Sequence, residues 1–175
     1  YNSDYKATLW EKWHDSLIDN PGCYLKLCLL CPPAFFAIDM QRAIPLFPVF
    51  LTCDVKGTLD LIIFTIMHIS EVNEDLEGTV PTVKAALINE EFIHQVPAIL
   101  NSILAFLDPA ETKDARIRLD VCRIISLLPM AVPIETLAAH KSLVLRKFKK
   151  VLDDPKREVR QIASSANILC MKFSE

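Results

Sequence analysis

Leu152-Asp153-Asp154-Pro155-Lys156-Arg157-Glu158-Val159-Arg160-Gln161-Ile162-Ala163 separates two apolar-periodic segments in the last quarter of the chain. Ile134 to Leu152 and Pro155 to Phe173 both place apolar residues at helical spacing. At the junction, Asp154 is placed as an N-cap, where its carboxylate accepts a free N–H of the first turn. Pro155 is placed at the first helical position, where its missing N–H costs nothing. The stretch therefore predicts one helix that stops and a second that starts at once.

The unit recurs upstream. Ile117-Arg118-x-x-Val121 matches Val159-Arg160-x-x-Ala163, 42 residues later, and Val55-Lys56-x-x-Leu59 is a weaker copy 62 residues before the middle one. The preceding helices also align: Pro97 stands ten residues before Leu107-Asp108, and Ser142 ten before Leu152-Asp153. Two helices per period of roughly 40 to 47 residues is the spacing of HEAT arrays. The expected fold is all-α, an α-solenoid of about three HEAT-type helix pairs plus N-terminal helices. In such an array a lone pair cannot bury its apolar face, so neighbours stack and share a core. Arg118 and Arg160 are then repeat-stabilising candidates, each able to reach an Asp in an adjacent turn. A binding role for the same side chains stays open.

Working outward, the chain reads as a single domain over 1–175, with N-terminal helices in 1–33, helix pairs in 34–70, 89–128 and 133–173, and an insertion in 71–88. Asp4 to Ile18 is an amphipathic helix in which Trp10 and Trp13 pack as core, and Asn20-Pro21-Gly22 stops it. Tyr24 to Leu30 is a short apolar helix ended by Pro32-Pro33. Ala34 to Cys53, with Pro45 and Pro48 inside, is either kinked or split. Val55 to Ser70 is strongly apolar, Glu71 to Gly78 is an acidic loop, and Pro81 to Leu87 is a short helix. Glu91 to Leu107 and Lys113 to Leu128 form the middle pair.

Composition bounds the function classes. The chain has 175 residues and only three glycines, which disfavours glycine-rich phosphate loops and turn-rich β folds. No apolar run reaches the roughly 18 to 20 residues of a membrane span. The opening Tyr1-Asn2-Ser3-Asp4 has neither an initiator Met nor a signal-peptide pattern and reads as a cut from something longer. Six cysteines without a secretory signal read as reduced intracellular thiols. The net charge of −3 is uneven: Lys141 to Arg160 holds eight basic and three acidic residues, a local +5, which leaves −8 for the remainder.

Few residue constellations carry chemistry. Cys23-x4-Cys28-x2-Cys31 has the spacing of three plant-type ferredoxin ligands, with Cys53 as a possible fourth. Leu25, Leu27, Leu29 and Leu30 surround these thiols, so they read as core rather than as a cluster loop, and no metal or cofactor is expected. His14, His68, His94 and His140 lie on different segments without metal or triad spacing. Glu71, Glu74, Asp75 and Glu77 lack the alternation and glycine of a calcium loop. No catalytic centre is expected. The basic run has three readings: a solvated helix face, a contact for an acidic protein partner, or a nucleic-acid surface. The net acidity and the absence of aromatic interleaving disfavour the last.

The C-terminal residues also carry a family resemblance. Leu127-Leu128-Pro129, then Leu152-Asp153-Asp154, then Lys156-Arg157-x-Val159-Arg160-x-x-Ala163 resembles the C-terminus of the HEAT-repeat adaptor family of the cytosolic iron–sulfur targeting complex, also known for methyl-methanesulfonate sensitivity in DNA repair and transcription. The match spans about the last 50 residues. It departs at Ile168-Leu169-Cys170-Met171-Lys172-Phe173, where the family has an aromatic-rich tail. The resemblance implies a non-enzymatic adaptor of cytoplasm and nucleus. Its partners would be a small cluster-transfer subunit, a WD-repeat β-propeller and client iron–sulfur apo-proteins, with no direct nucleic-acid or membrane contact. Lys156, Arg157 and Arg160 are the partner-binding candidates, followed by Lys149 and Lys150. The alternative is a HEAT scaffold of another class, in nuclear transport, phosphatase or chromatin complexes.

Overall fold

A computed structural model describes residues 12, 19–30, 33–75 and 83–173, and every regular element among them is helical. The expected helix over Asp4 to Ile18, with Trp10, Trp13 and His14, lies outside the described residues apart from Lys12.

Asn20-Pro21-Gly22, expected to stop a helix, begins one. Helix α1 spans Pro21–Leu30, with Pro21 in first position. Asn20 caps it: its side-chain oxygen accepts the Cys23 N–H at 3.2 Å and its carbonyl the Tyr24 N–H at 3.0 Å. The segment with two internal prolines is split rather than kinked. It forms α2 (Pro33–Ala43), a 3₁₀ turn (Ile44–Leu46) and α3 (Phe47–Cys53). Pro45 and Pro48 each sit in a first turn, the one place where a residue without an N–H interrupts no hydrogen-bond ladder.

Helix α4 (Val55–Asp75) and helix α5 (Val83–Ile103) are each 21 residues long. This corrects the acidic loop expected from Glu71 as far as residue 75 and the start expected at Glu91. Residues 71–75 continue α4, and 83–88 are the first turns of α5, continuous with the segment expected to begin at Glu91. The turns hold each other: Asn89 donates to Asn73 across the pair at 3.0 Å, and Ile88 is buried. Pro97 lies inside α5 without ending it, and the helix closes through a 3₁₀ turn at Leu104–Leu107.

Helix α6 (Ala115–Leu127) is capped by Asp114, which accepts the Arg116 N–H at 2.9 Å, and runs into a 3₁₀ turn at Leu128–Met130. The helix expected over Ile134 to Leu152 is broken into α7 (Ile134–Ala138) and α8 (Lys141–Val151) by a turn at Ala139-His140. The last helix, α9, spans Arg157–Met171 and starts two residues later than Pro155 suggested. Lys156 occupies its extended N-cap position, with no side-chain cap. Asp154 caps no first-turn residue: the N–H its carboxylate accepts is that of Lys156, ahead of the helix, and the rest of it is engaged in a buried ion pair with Arg118.

Helix α6 lies against α4 and against α9, while α8 lies against α9 and the 3₁₀ turn that closes α5; α3 packs on α1, α4 and α5. The shared core includes Phe47, Phe50, Phe92 and Phe148, all fully buried. Buried Val159, Ala163, Ala166 and Cys170 recur along one stripe of α9 at helical spacing. The small Ala163 and Ala166 allow the close approach. In α4, buried Thr58 and Thr65 return their hydroxyls to the carbonyls four residues back, at 2.6 and 2.8 Å, so neither is orphaned. No described helix is long and apolar enough to cross a membrane.

Candidate partner-binding surface

The first turns of α6 and α9 lie side by side and enclose a groove of about 360 Å³. Ala115, Leu119 and Val159 supply its apolar part, and Arg116, Lys156, Arg157 and Glu158 its charge. Lys156, Arg157 and Glu158 are exposed. Arg116 donates from Nε to Asp120 Oδ2 at 3.0 Å, yet its side chain remains 60% exposed, so the guanidinium still faces solvent. Three cations against one carboxylate, beside a helix start with no side-chain cap, make this a locally positive groove.

The loop before α9 is fixed by Asp154, which is fully buried. Arg118 grips it with both edges of one fork, Nε to Oδ2 at 2.6 Å and Nη2 to Oδ1 at 2.9 Å. Arg118 Nη1 donates to the Thr112 and Lys113 carbonyls at 2.6 and 3.3 Å. Asp154 Oδ1 also accepts the Lys156 N–H at 2.8 Å. Burial opposes ionisation of Asp154. The Arg118 hydrogen bonds, the Lys156 N–H and the charges of Arg118 and Arg160 outweigh it, and the carboxyl is held below its usual range. Arg118 thus ties α6 to the loop entering α9, and Lys156 and Arg157 leave that loop already aimed at the groove.

The sequence-predicted residues do not all converge. Lys156 and Arg157 line the groove together; Arg160, Lys149 and Lys150 do not. Arg160 donates from Nη1 to the Asp154 and Pro155 carbonyls at 2.6 and 3.1 Å. Lys149 is exposed in the last turn of α8. Lys150 is engaged with Asp108 at 2.6 Å, a residue 42 positions earlier, and this pairing holds the Asp108 carboxyl below its usual range. Lys56 pairs with Asp114 at 2.6 Å, linking α4 to the start of α6. It does so from the second residue of its helix, whereas Arg118 is the fourth of α6, so the weak third copy is two residues out of register. The fourth position of α4 is Thr58, whose hydroxyl returns to the Asp54 carbonyl.

Sequence reading missed Arg116, which completes the groove. A signal was present: Asp114-Ala115-Arg116 and Asp154-Pro155-Lys156 each put a cation two residues after a loop Asp. Among the described residues no group of three or more His, Cys, Asp or Glu side chains could hold a metal ion. Cys23 and Cys53 are exposed, contrary to the core reading, while Cys28, Cys122 and Cys170 are buried; Cys31 lies outside the described residues.

No protein-family model, curated protein or solved structure matches the chain.

Proposed function

We propose that the chain is a HEAT-type solenoid segment with a non-catalytic adaptor function. In this reading it docks the small cluster-transfer subunit of the cytosolic iron–sulfur targeting complex and a WD-repeat β-propeller. Through the full-length protein it links them to client apo-proteins such as DNA replication and repair enzymes, in cytoplasm and nucleus. The observation that carries the reading is the positive groove of Arg116, Lys156 and Arg157 between two stacked helix starts. Such a surface favours an acidic partner mainly by steering and orienting it. The repeat assignment is supported separately. Arg118 and Arg160, 42 residues apart, each donate from Nη1 to the carbonyls six and five residues back.

The test is co-purification of the transfer subunit and propeller with the chain and with its Lys156→Glu/Arg157→Glu variant. The variant is expected to lose the partners while keeping its thermal midpoint, because both side chains are exposed and hold nothing in place. Partner recovery equal to wild type, or recovery of transport or phosphatase components instead, overturns the assignment.

A further inference from the structure

The equivalence of Arg118 and Arg160 is incomplete in one respect. Both anchor Nη1 on the carbonyls of the preceding loop, but Arg118 spends its other edge, Nε and Nη2, on Asp154. Among the described residues, no acceptor meets Nε or Nη2 of Arg160. The carbonyl bonds nonetheless fix its guanidinium in the same way, and the half-buried Arg160 is left with a two-pronged donor edge unspent. Fork-shaped pairing of this kind is specific to carboxylate and phosphate geometry.

The neighbouring side chains describe what would sit there. Stepping 42 residues from α6 to α9, the buried Cys122 and Ile125 become Ser164, which is exposed, and Asn167, which is half-buried. Ile168 and Met171 are more than half exposed on the same flank, at 56% and 53%. A face built for permanent stacking of another helix pair would keep the apolar identities seen on α6. This one mixes hydroxyl, amide and two isolated apolar side chains around a guanidinium, the make-up of a reversible interface.

We propose that Arg160 is a carboxylate receptor: its Nε and Nη2 edge, flanked by Ser164 and Ile168, takes an Asp or Glu side chain of a reversibly bound partner protein, as Arg118 takes Asp154. The inference rests on the repeat reading above in equating α9 with α6. It also adds a second contact to the adaptor surface, one that selects for geometry where the Lys156 and Arg157 groove selects for charge.

The experiment uses the 175-residue chain labelled at its arginine side chains, titrated with the acetylated amide Leu-Asp-Asp-Pro-Lys, the chain's own 152–156 sequence. The Nε–Hε resonance of Arg160 should shift and saturate, while that of exposed Arg146 stays put. The peptide with Asn in place of its second Asp should leave Arg160 unmoved. Arg160→Lys, which keeps the charge and loses the fork, should bind roughly tenfold more weakly. Ile168→Glu alters only an exposed position and should also weaken binding without lowering the thermal midpoint. Equal shifts at Arg160 and Arg146, or unchanged binding by Arg160→Lys, overturn the proposal. Self-association of the chain that Ile168→Glu abolishes also overturns it, by making a second copy the occupant. Saturating peptide binding with no binding of the transfer subunit upholds the receptor and removes only the partner assignment.

Discussion

At the scale of single residues, Asp154 decides more than any other side chain. It accepts two hydrogen bonds from Arg118 and one from Lys156 while fully buried. Removing one partner of such a pair leaves a buried charge uncompensated, so Arg118→Ala should destabilise the fold by roughly 3–5 kcal/mol in urea denaturation. The same pair sets an acid limit. Because the folded carboxyl is held below its ordinary value, its contribution is complete above the unfolded carboxylate pKa, about 4, and is lost as pH falls through the folded value. Denaturation midpoints measured from neutral pH downward should show that loss in the wild type, and Asp154→Asn should lack that component. Lys150 offers the contrast. Its ion pair with Asp108 is solvent-facing, so Lys150→Ala should leave the thermal midpoint unchanged in calorimetry.

At the scale of elements, the helices separate the cysteines into two classes. Burial pushes the Cys122 thiol up to about 12 and the Cys170 thiol up to about 11, where α6 and α9 pack together. Cys23 and Cys53, near the start of α1 and the end of α3, are exposed. Alkylation of the native protein, followed by mass spectrometry, should modify Cys23 and Cys53 within minutes and reach Cys28, Cys122 and Cys170 only after denaturant is added. The same packing makes Phe148 costly to trim. It is fully buried in α8, and Phe148→Ala should lose roughly 3–5 kcal/mol in the same urea measurement. Local patterns marked most helices but misplaced several ends. The end of α4 read as a loop because Glu71, Glu74 and Asp75 are acidic, yet charge on an exposed turn does not end a helix that its neighbour holds in place.

At the scale of the whole molecule, the question is how an acidic chain presents a basic surface. The net charge is −3, while the groove between α6 and α9 gathers Arg116, Lys156 and Arg157. Partner binding through it should weaken steeply as salt rises, since these groups are exposed and screened. Adding Arg116→Glu to the Lys156→Glu/Arg157→Glu variant should deepen the loss of partner recovery in the same co-purification. No change on adding it would place the contact elsewhere on α9.

The all-helical class, the restart of the chain after Leu152 and the 42-residue correspondence of Arg118 with Arg160 were all legible in the residues alone. Apolar spacing and prolines act over a few residues, and those effects are written locally. What the charged side chains do depends on packing. Asp154 reads as a cap in sequence; besides taking the Lys156 N–H it is the buried anchor of Arg118, 36 residues away. Lys150 reads as a free cation and is engaged, while Arg116 drew no notice and lines the groove. A charge takes its role from whatever folding brings within about 4 Å of it, and no local pattern records that distance.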